Sequence, residues 1–231
     1  MKKRNFIGFV KNVLLKLVVL PFKYGKNGDY DASRYWDDRL RNSDDSVTAV
    51  GVESLSHEDN LSGKIRGVGI LRDTCIQEEI DFNNVRLLEI GSGNGIYTEY
   101  LHGAGLKQYC GLDITDALFS SIEEKCPGFE FVKKDISSKK LNREFDVIIM
   151  ISVIQHIVSK DKFHYAINNI LNNLSDDGVF FITHIYEKAQ KRLFHVRHWS
   201  IQELEIELDG FQITNKIPFG AGYMLVIRKS K

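Results

Sequence analysis

The chain has 231 residues, 43% of them hydrophobic and 27% charged, with 31 basic and 31 acidic side chains. That length builds one domain with appendages around a substantial core, and the mixed composition describes a soluble globular protein. Balanced charge gives no field for nucleic acid, and three cysteines (Cys75, Cys110, Cys126), odd in number and without a C-x-x-C pair, argue against a disulfide scaffold or a zinc site. They read as reduced, packed thiols of a cytoplasmic protein.

The charge balance hides an asymmetry. Seven basic residues (Lys2, Lys3, Arg4, Lys11, Lys16, Lys23, Lys26) and no acid fall in residues 1–28, so the remaining 24 basic residues face all 31 acids. Within this arm, residues 5–22 predict a helix: Phe6, Phe9, Val10, Val13, Leu14, Leu17 and Val18 share a broad apolar face, and Asn5, Asn12 and Lys16 form a narrow polar stripe. Lys11 and Lys16 interrupt it, so it is too short and too charged to span a bilayer, and it lacks the small-residue cleavage site of a signal peptide. It suits a peripheral contact with the inner face of a membrane, packing on its own domain, or contact with a second copy of the chain.

Pro21 to Asp31 reads as linker, Ser33–Leu40 as a short helix, Ser43–Asp59 as polar and irregular, and Leu61–Ile80 as a helix weakened by three glycines. Arg86–Ile90 is a short apolar strand, followed at once by Gly91-Ser92-Gly93-Asn94-Gly95 and then by Ile96, Tyr97, Tyr100 and Leu101 at helical spacing. Glycine has no Cβ, so this turn bends sharply and lets a ligand lie against bare backbone, and the amides opening the next helix favour negative or polarised ligand atoms. A dinucleotide fingerprint needs a third glycine where Ile96 stands. Glu89, two residues before the turn, suits a cationic or hydrogen-bond-donating ligand better than a diphosphate.

Downstream the pattern alternates. Gln108–Leu112 is a strand ending at Asp113, Thr115–Lys125 a helix, Phe129–Val132 a strand, and Phe145–Ile151 a continuously apolar strand that must be buried on both faces. Lys160–Leu174 is helical, Ser175–Gly178 a turn, Val179–Thr183 a buried strand, Ser200–Leu208 a helix, and Phe211–Ile217 and Tyr223–Ile227 a closing antiparallel pair. Such alternation predicts an α/β fold, a mostly parallel Rossmann-like sheet with helices on both faces. Ligands of such sheets lie at the carboxyl ends of the strands. Asp113 sits at one such end, 22 residues after Gly91, where an acid accepts hydrogen bonds from ribose hydroxyls.

The segment LEIGSGNGIYTEYL resembles the glycine motif of the class I S-adenosylmethionine (SAM) dependent methyltransferases, a likeness that extends over residues 30–231. It implies SAM as cofactor and a seven-stranded sheet whose C-terminal strand is antiparallel, with an N-terminal helical extension. It divides the chain into a basic helix and linker (1–28), a helical lid or cap (29–82) and a SAM-binding core (83–231). Glu89 and the backbone at Gly91 and Gly93 then hold the amino-acid end of SAM, Ile114 flanks the adenine, and Asp135 with the Ile136 amide meets the adenine edge; Asp135 also suits a turn.

The resemblance extends to the acceptor side. Ser33–Leu40 is similar to the family's lid helix, which makes Tyr35 and Trp36 substrate contacts, or else aromatic anchors to the core. His57 precedes the first strand where the family walls its substrate pocket. The run from Met150 to Ile157 is similar to the post-strand-four motif that ends in Q/E-H near the methyl group, which makes His156 the first candidate base and His184 the second, because imidazole titrates near neutrality. Arg197 and His198 lie in a segment like the family's pocket lining, and two histidines without a carboxylate cluster make no metal site. There is no N-P-P-[YF] after strand four and no basic–aromatic cluster for nucleic acid. What remains is methyl transfer to a small molecule, such as a sugar or a glycan or secondary-metabolite precursor. A catalytically silent SAM-binding regulator or scaffold and an NAD-dependent oxidoreductase are the competing readings.

Overall fold

The computed structural model describes residues 15–230. Residues 5–14 of the predicted N-terminal helix lie outside them; its remainder is a π-helical turn, Leu15–Val19, running into helix α1, Leu20–Tyr24. The stretch read as linker instead closes a two-stranded hairpin, β1 (Gly25–Lys26) against β2 (Asp29–Tyr30). Helix α2 (Ala32–Arg41) follows, its first turn capped by the Asp31 carboxylate, which accepts from the Arg34 amide. The irregular polar segment contains a short helix, α3 (Ser46–Ala49). The long helix α4 (His57–Gln77) starts four residues before its apolar repeat, because Ser56 accepts from the Asp59 amide and acids fill its first turn.

From β3 (Arg86–Ile90) onward the chain alternates: α5 (Ile96–Gly103), β4 (Gln108–Asp113), α6 (Phe119–Lys125), β5 (Glu130–Lys133), β6 (Phe145–Met150), α7 (Lys160–Leu171) and β7 (Leu174–Tyr186). A hairpin of β8 (Gln190–Leu193) and β9 (Val196–Ser200), unanticipated in the sequence, then leads through α8 (Ile201–Glu205) to β10 (Phe211–Phe219) and β11 (Gly222–Lys229). The main sheet runs β10-β11-β7-β6-β3-β4-β5, with β11 antiparallel to both of its neighbours and the other ladders from β7 to β5 parallel. β9 adds itself to the end of β7 through Ile185–Trp199 and Tyr186–Ser200. Helix α6 starts four residues later than Thr115, because Thr115 folds back to serve the turn after β4.

Strand periodicity divides the core in two. Leu87, Val147, Ile149, Phe181 and Val226 face one side, under α4 and α5; Leu88, Ile148, Met150, Phe180 and Leu225 face the other, under α7 and α8. Residues Ser175–Gly178, read as a turn, are a bulge within β7: Phe145 pairs with Leu174, but Val147 already pairs with Val179. Arg86 bonds Asp146 through its amide (2.8 Å) and its guanidinium (2.7 Å), which fixes the register of β3 on β6. Chain order reverses between these two strands, and a crevice opens at their carboxyl ends. Among the described residues no helix is long and apolar enough to cross a membrane.

Candidate functional site

The glycine turn occupies that crevice. Gly91, Gly93 and Gly95 all take positive φ (+80°, +55° and +82°), the region where a side chain is strained. At Gly91 a Cβ would also lie 2.2 Å from Val153 Cγ2, so this position has no room for one. The turn is wired to the neighbouring strand: the Gly91 amide donates to the Leu112 carbonyl (2.6 Å) and the Gly93 amide to Asp113 Oδ2 (3.1 Å). The other Asp113 oxygen accepts from the Thr115 amide at 3.2 Å. Burial pushes the Asp113 carboxyl up, and these amides pull it back.

Beside the turn lies a cavity with about 930 Å³ of empty space, open mouth included. Gly91, Gly93, Asp113, Ile114, Asp135 and Ile136 line one side, so six of the seven residues expected at the cofactor converge on it. The opposite wall comes from the N-terminal part of the chain and the loop after β6, with Trp36, Val50, Val153 and His156. Asp135 keeps a turn role as well, accepting from the Ser137 amide (2.8 Å), the Ser137 hydroxyl (2.6 Å) and the Ser138 hydroxyl (3.0 Å). Bare backbone, two strand-end carboxylates and an apolar floor fit a ligand with a ribose, an aromatic base and a polar tail.

Glu89 is the exception among the cofactor candidates. Its side chain is buried beneath the turn, where Oε2 accepts from Thr98 Oγ1 of α5 (2.7 Å) and from the Tyr109 hydroxyl of β4 (2.6 Å). It braces the turn from behind and does not line the cavity. Burial pushes its carboxyl up to about 7, with the two hydroxyls and nearby Lys64 opposing. Burial likewise pushes Lys64 down to about 8.

The two histidines named as bases have different hydrogen-bond partners. His156 Nδ1 lies 3.1 Å from the His195 carbonyl, which can only accept, so Nδ1 carries the proton and Nε2 keeps its lone pair. Burial pushes His156 down to about 3, and Trp36 meets it edge-on at 4.9 Å between ring centres. The Thr183 hydroxyl accepts from the Ser152 amide (2.8 Å) and lies 3.1 Å from His184 Nδ1. Burial pushes His184 down to about 4. Both Ser152 (φ +59°) and His184 (φ +61°) hold left-handed backbone at adjacent strand ends, where strained residues cluster around sites. His184 is not part of the cavity wall.

Of the expected substrate contacts only Trp36 lines the cavity. Tyr35 is packed behind it, its hydroxyl accepting from Arg39 (2.8 Å) and bonding His195 Nε2 (3.2 Å). His57 opens α4, paired with Asp45 at 2.9 Å. Arg197 binds Glu203 (2.7 Å) and covers the Trp199 ring, and His198 stacks on Tyr186 at 3.8 Å. Among the described residues no group of three or more His, Cys, Asp or Glu could hold a metal ion.

Reading the sequence missed Arg39. It donates to the Ala49 (2.5 Å) and Gly51 (3.1 Å) carbonyls and pairs with Glu53 at 3.0 Å, so it holds the loop that carries Val50 to the cavity. Its spacing from Tyr35 on one helical face was the available signal.

Comparison with known proteins gives a consistent picture. Residues 52–208 match the family described as "Methyltransferase domain". The chain is 26% identical over 149 residues to the ubiquinone biosynthesis O-methyltransferase of Rickettsia canadensis, covering 58% of this chain and 60% of that one. The chain spans half to three-fifths of the length of the curated relatives it matches. Among solved structures, the magnesium protoporphyrin IX methyltransferase of Synechocystis, solved with bound SAM, superimposes with a TM-score of 0.68 at 16% identity, over 89% of this chain and 100% of that one. An amino pentose methyltransferase of Micromonospora echinaspora, from calicheamicin biosynthesis, gives 0.59 at 12% identity over 75% and 96%.

Proposed function

The chain belongs to the SAM-dependent methyltransferase family, and we propose that it methylates a small-molecule acceptor, a sugar or a glycan or secondary-metabolite precursor. The observation that carries this reading is the convergence of the side-chain-free turn at Gly91 and Gly93 with Asp113 and Asp135 on one cavity at the sheet's point of reversal. In this reading Asp113 accepts from the ribose hydroxyls, Ile114 and Ile136 flank the adenine, Asp135 meets its amino edge, and the Gly91–Gly93 backbone takes the amino-acid end. Glu89 acts through the turn it braces. The relative in ubiquinone biosynthesis and the amino pentose enzyme favour a small acceptor.

SAM supplies an electrophilic methyl group, so the protein's task is to align a nucleophile and take its proton. His156 lines the cavity with an unprotonated Nε2 and stays neutral far below pH 7, which suits a hydrogen-bond acceptor that orients an acceptor hydroxyl or amine. Trp36 walls the same space. His184, held neutral by burial at the end of the neighbouring strand, is the second candidate for that accepting role. Tyr35, His57, Arg197 and His198 serve, in this reading, by shaping the walls around that space. The division into arm (1–28), cap (29–82) and core (83–231) follows from the same assignment, and buried free thiols favour a cytoplasmic setting.

Calorimetric titration with SAM, S-adenosylhomocysteine and NAD tests the reading. Wild type is expected to bind the first two and not NAD, and Asp113→Ala to lose at least about tenfold in affinity, the worth of a buried charged hydrogen bond. Binding of NAD without SAM, or an unchanged affinity in the variant, overturns it.

A further inference from the structure

The apolar face of the N-terminal helical segment has no role in the site. Leu17, Val18, Val19 and Phe22 are 63%, 55%, 46% and 92% exposed, a contiguous set of large apolar side chains within six residues. Around them the sequence places seven basic residues and no acid before Asp29. The segment is fastened from its other side. Leu20 packs on the aromatic cluster of Tyr24, Tyr30 and Tyr35. The Tyr24 hydroxyl and Lys23 both donate to Asp38 Oδ2 (2.8 and 2.9 Å), and the Tyr24 ring meets Tyr35 edge-on at 5.3 Å. Tyr35 in turn meets Trp36, which walls the cavity.

We propose that this segment docks the protein on an anionic lipid surface, with Leu17, Val18, Val19 and Phe22 entering the boundary between headgroups and acyl chains and the basic residues of the arm meeting the headgroups. Charge complementarity selects this occupant. An arm with seven cations and no anion is attracted to phosphate-bearing headgroups, whereas a two-fold contact with the same face of a second copy sets two such arms against each other. Lys11 and Lys16 interrupt the apolar run of residues 5–22, which suits an interfacial contact. Because Tyr24 binds the segment to the helix carrying Trp36, docking also fixes how the cavity is held relative to the lipid surface. The inference is independent of the methyl-transfer reading.

The test is co-sedimentation of the full-length chain with phosphatidylcholine vesicles, with and without phosphatidylglycerol, at low and high salt. Wild type is expected to partition at least about tenfold better onto the anionic vesicles, and the excess to fall with salt. Leu17→Asp/Phe22→Asp removes the apolar face at exposed positions and is expected to abolish pelleting while leaving S-adenosylhomocysteine affinity unchanged. Lys11→Glu/Lys16→Glu, a second variant, is expected to abolish only the anionic preference. Equal pelleting on both vesicle types, unaltered pelleting of the first variant, or a first variant that changes only the oligomeric state overturns the proposal. Because S-adenosylhomocysteine binding is read separately, failure here is distinct from failure of the methyltransferase assignment.

Discussion

Glu89 shows how a single side chain can serve a site it does not touch. Its carboxyl is sealed under the glycine turn, joined to α5 through Thr98 and to β4 through Tyr109, so the strand before the turn and the helix after it share one hydrogen-bonded post. Truncating it removes the acceptor that the Thr98 and Tyr109 hydroxyls share. They lie 3.1 Å apart, so one still donates to the other and the second is left without an acceptor. Glu89→Ala is expected to cost about 1–3 kcal/mol in urea unfolding. Glu89→Gln keeps an oxygen there and is expected to stay within about 1 kcal/mol at neutral pH. The two proteins should differ in pH dependence. Glu89 releases its proton near 7 in the fold, against an ordinary value of 4.5, so its protonation favours the native state. That contribution is complete below about 4.5 and is lost as pH rises through 7. His156 and His184, pushed down to about 3 and 4, run the other way, contributing above their ordinary 6.5 and losing as pH falls. Subtracting wild type from Glu89→Gln cancels the histidines, and the difference in unfolding free energy should grow in the variant's favour from pH 5 to pH 8. A flat difference would refute the buried, proton-holding carboxyl.

Among the elements, the turn from β3 to α5 has the least latitude. Gly91→Ala forces a side chain into φ +80° and within 2.2 Å of Val153 Cγ2. Strain and overpacking together are expected to cost about 2–4 kcal/mol and to weaken S-adenosylhomocysteine binding more than tenfold. Val153→Ala in that background removes the clash but not the backbone strain, so calorimetry and urea unfolding should recover part of each loss. Full recovery would mean that φ is of no consequence there. This turn was legible in the sequence because glycine spacing is a local signal, as were the strand ends at Asp113 and Asp135. The β8–β9 hairpin was not: Gln190–Leu193 is largely exposed and polar, and β9 becomes a strand because β8 and the end of β7, through Ile185 and Tyr186, offer it partners. The substrate residues were harder still. Tyr35, His57, Arg197 and His198 have residue types that suit a pocket, but their partners (His195, Asp45, Glu203 and Tyr186) come from distances along the chain that no spacing rule covers.

At the scale of the molecule, the cavity is a joint. One wall belongs to the parallel sheet, through Gly91, Asp113 and Asp135; the other to the segment before it, through Trp36, Leu40 and Val50. Arg39 braces that second wall, tying α2 to the carbonyls on either side of Val50. A ligand in the cavity touches both walls and so couples them. At a hundredfold excess over its dissociation constant, S-adenosylhomocysteine is expected to add about 2.7 kcal/mol to stability, a rise in Tm of about 5–11 °C for a chain of this size. Arg39→Met leaves the sheet and both core layers intact, so the ligand-free Tm should move little. It releases the loop carrying Val50, however, and the bound state must then order that loop again. A tenfold loss of affinity at the same ligand concentration removes about 1.4 kcal/mol, roughly half of the ligand-induced rise. Differential scanning calorimetry of both proteins with and without ligand separates the two effects. An unchanged ligand-induced shift would mean that the sheet side alone holds the ligand, and a large fall in the ligand-free Tm would mean that Arg39 supports the fold as a whole.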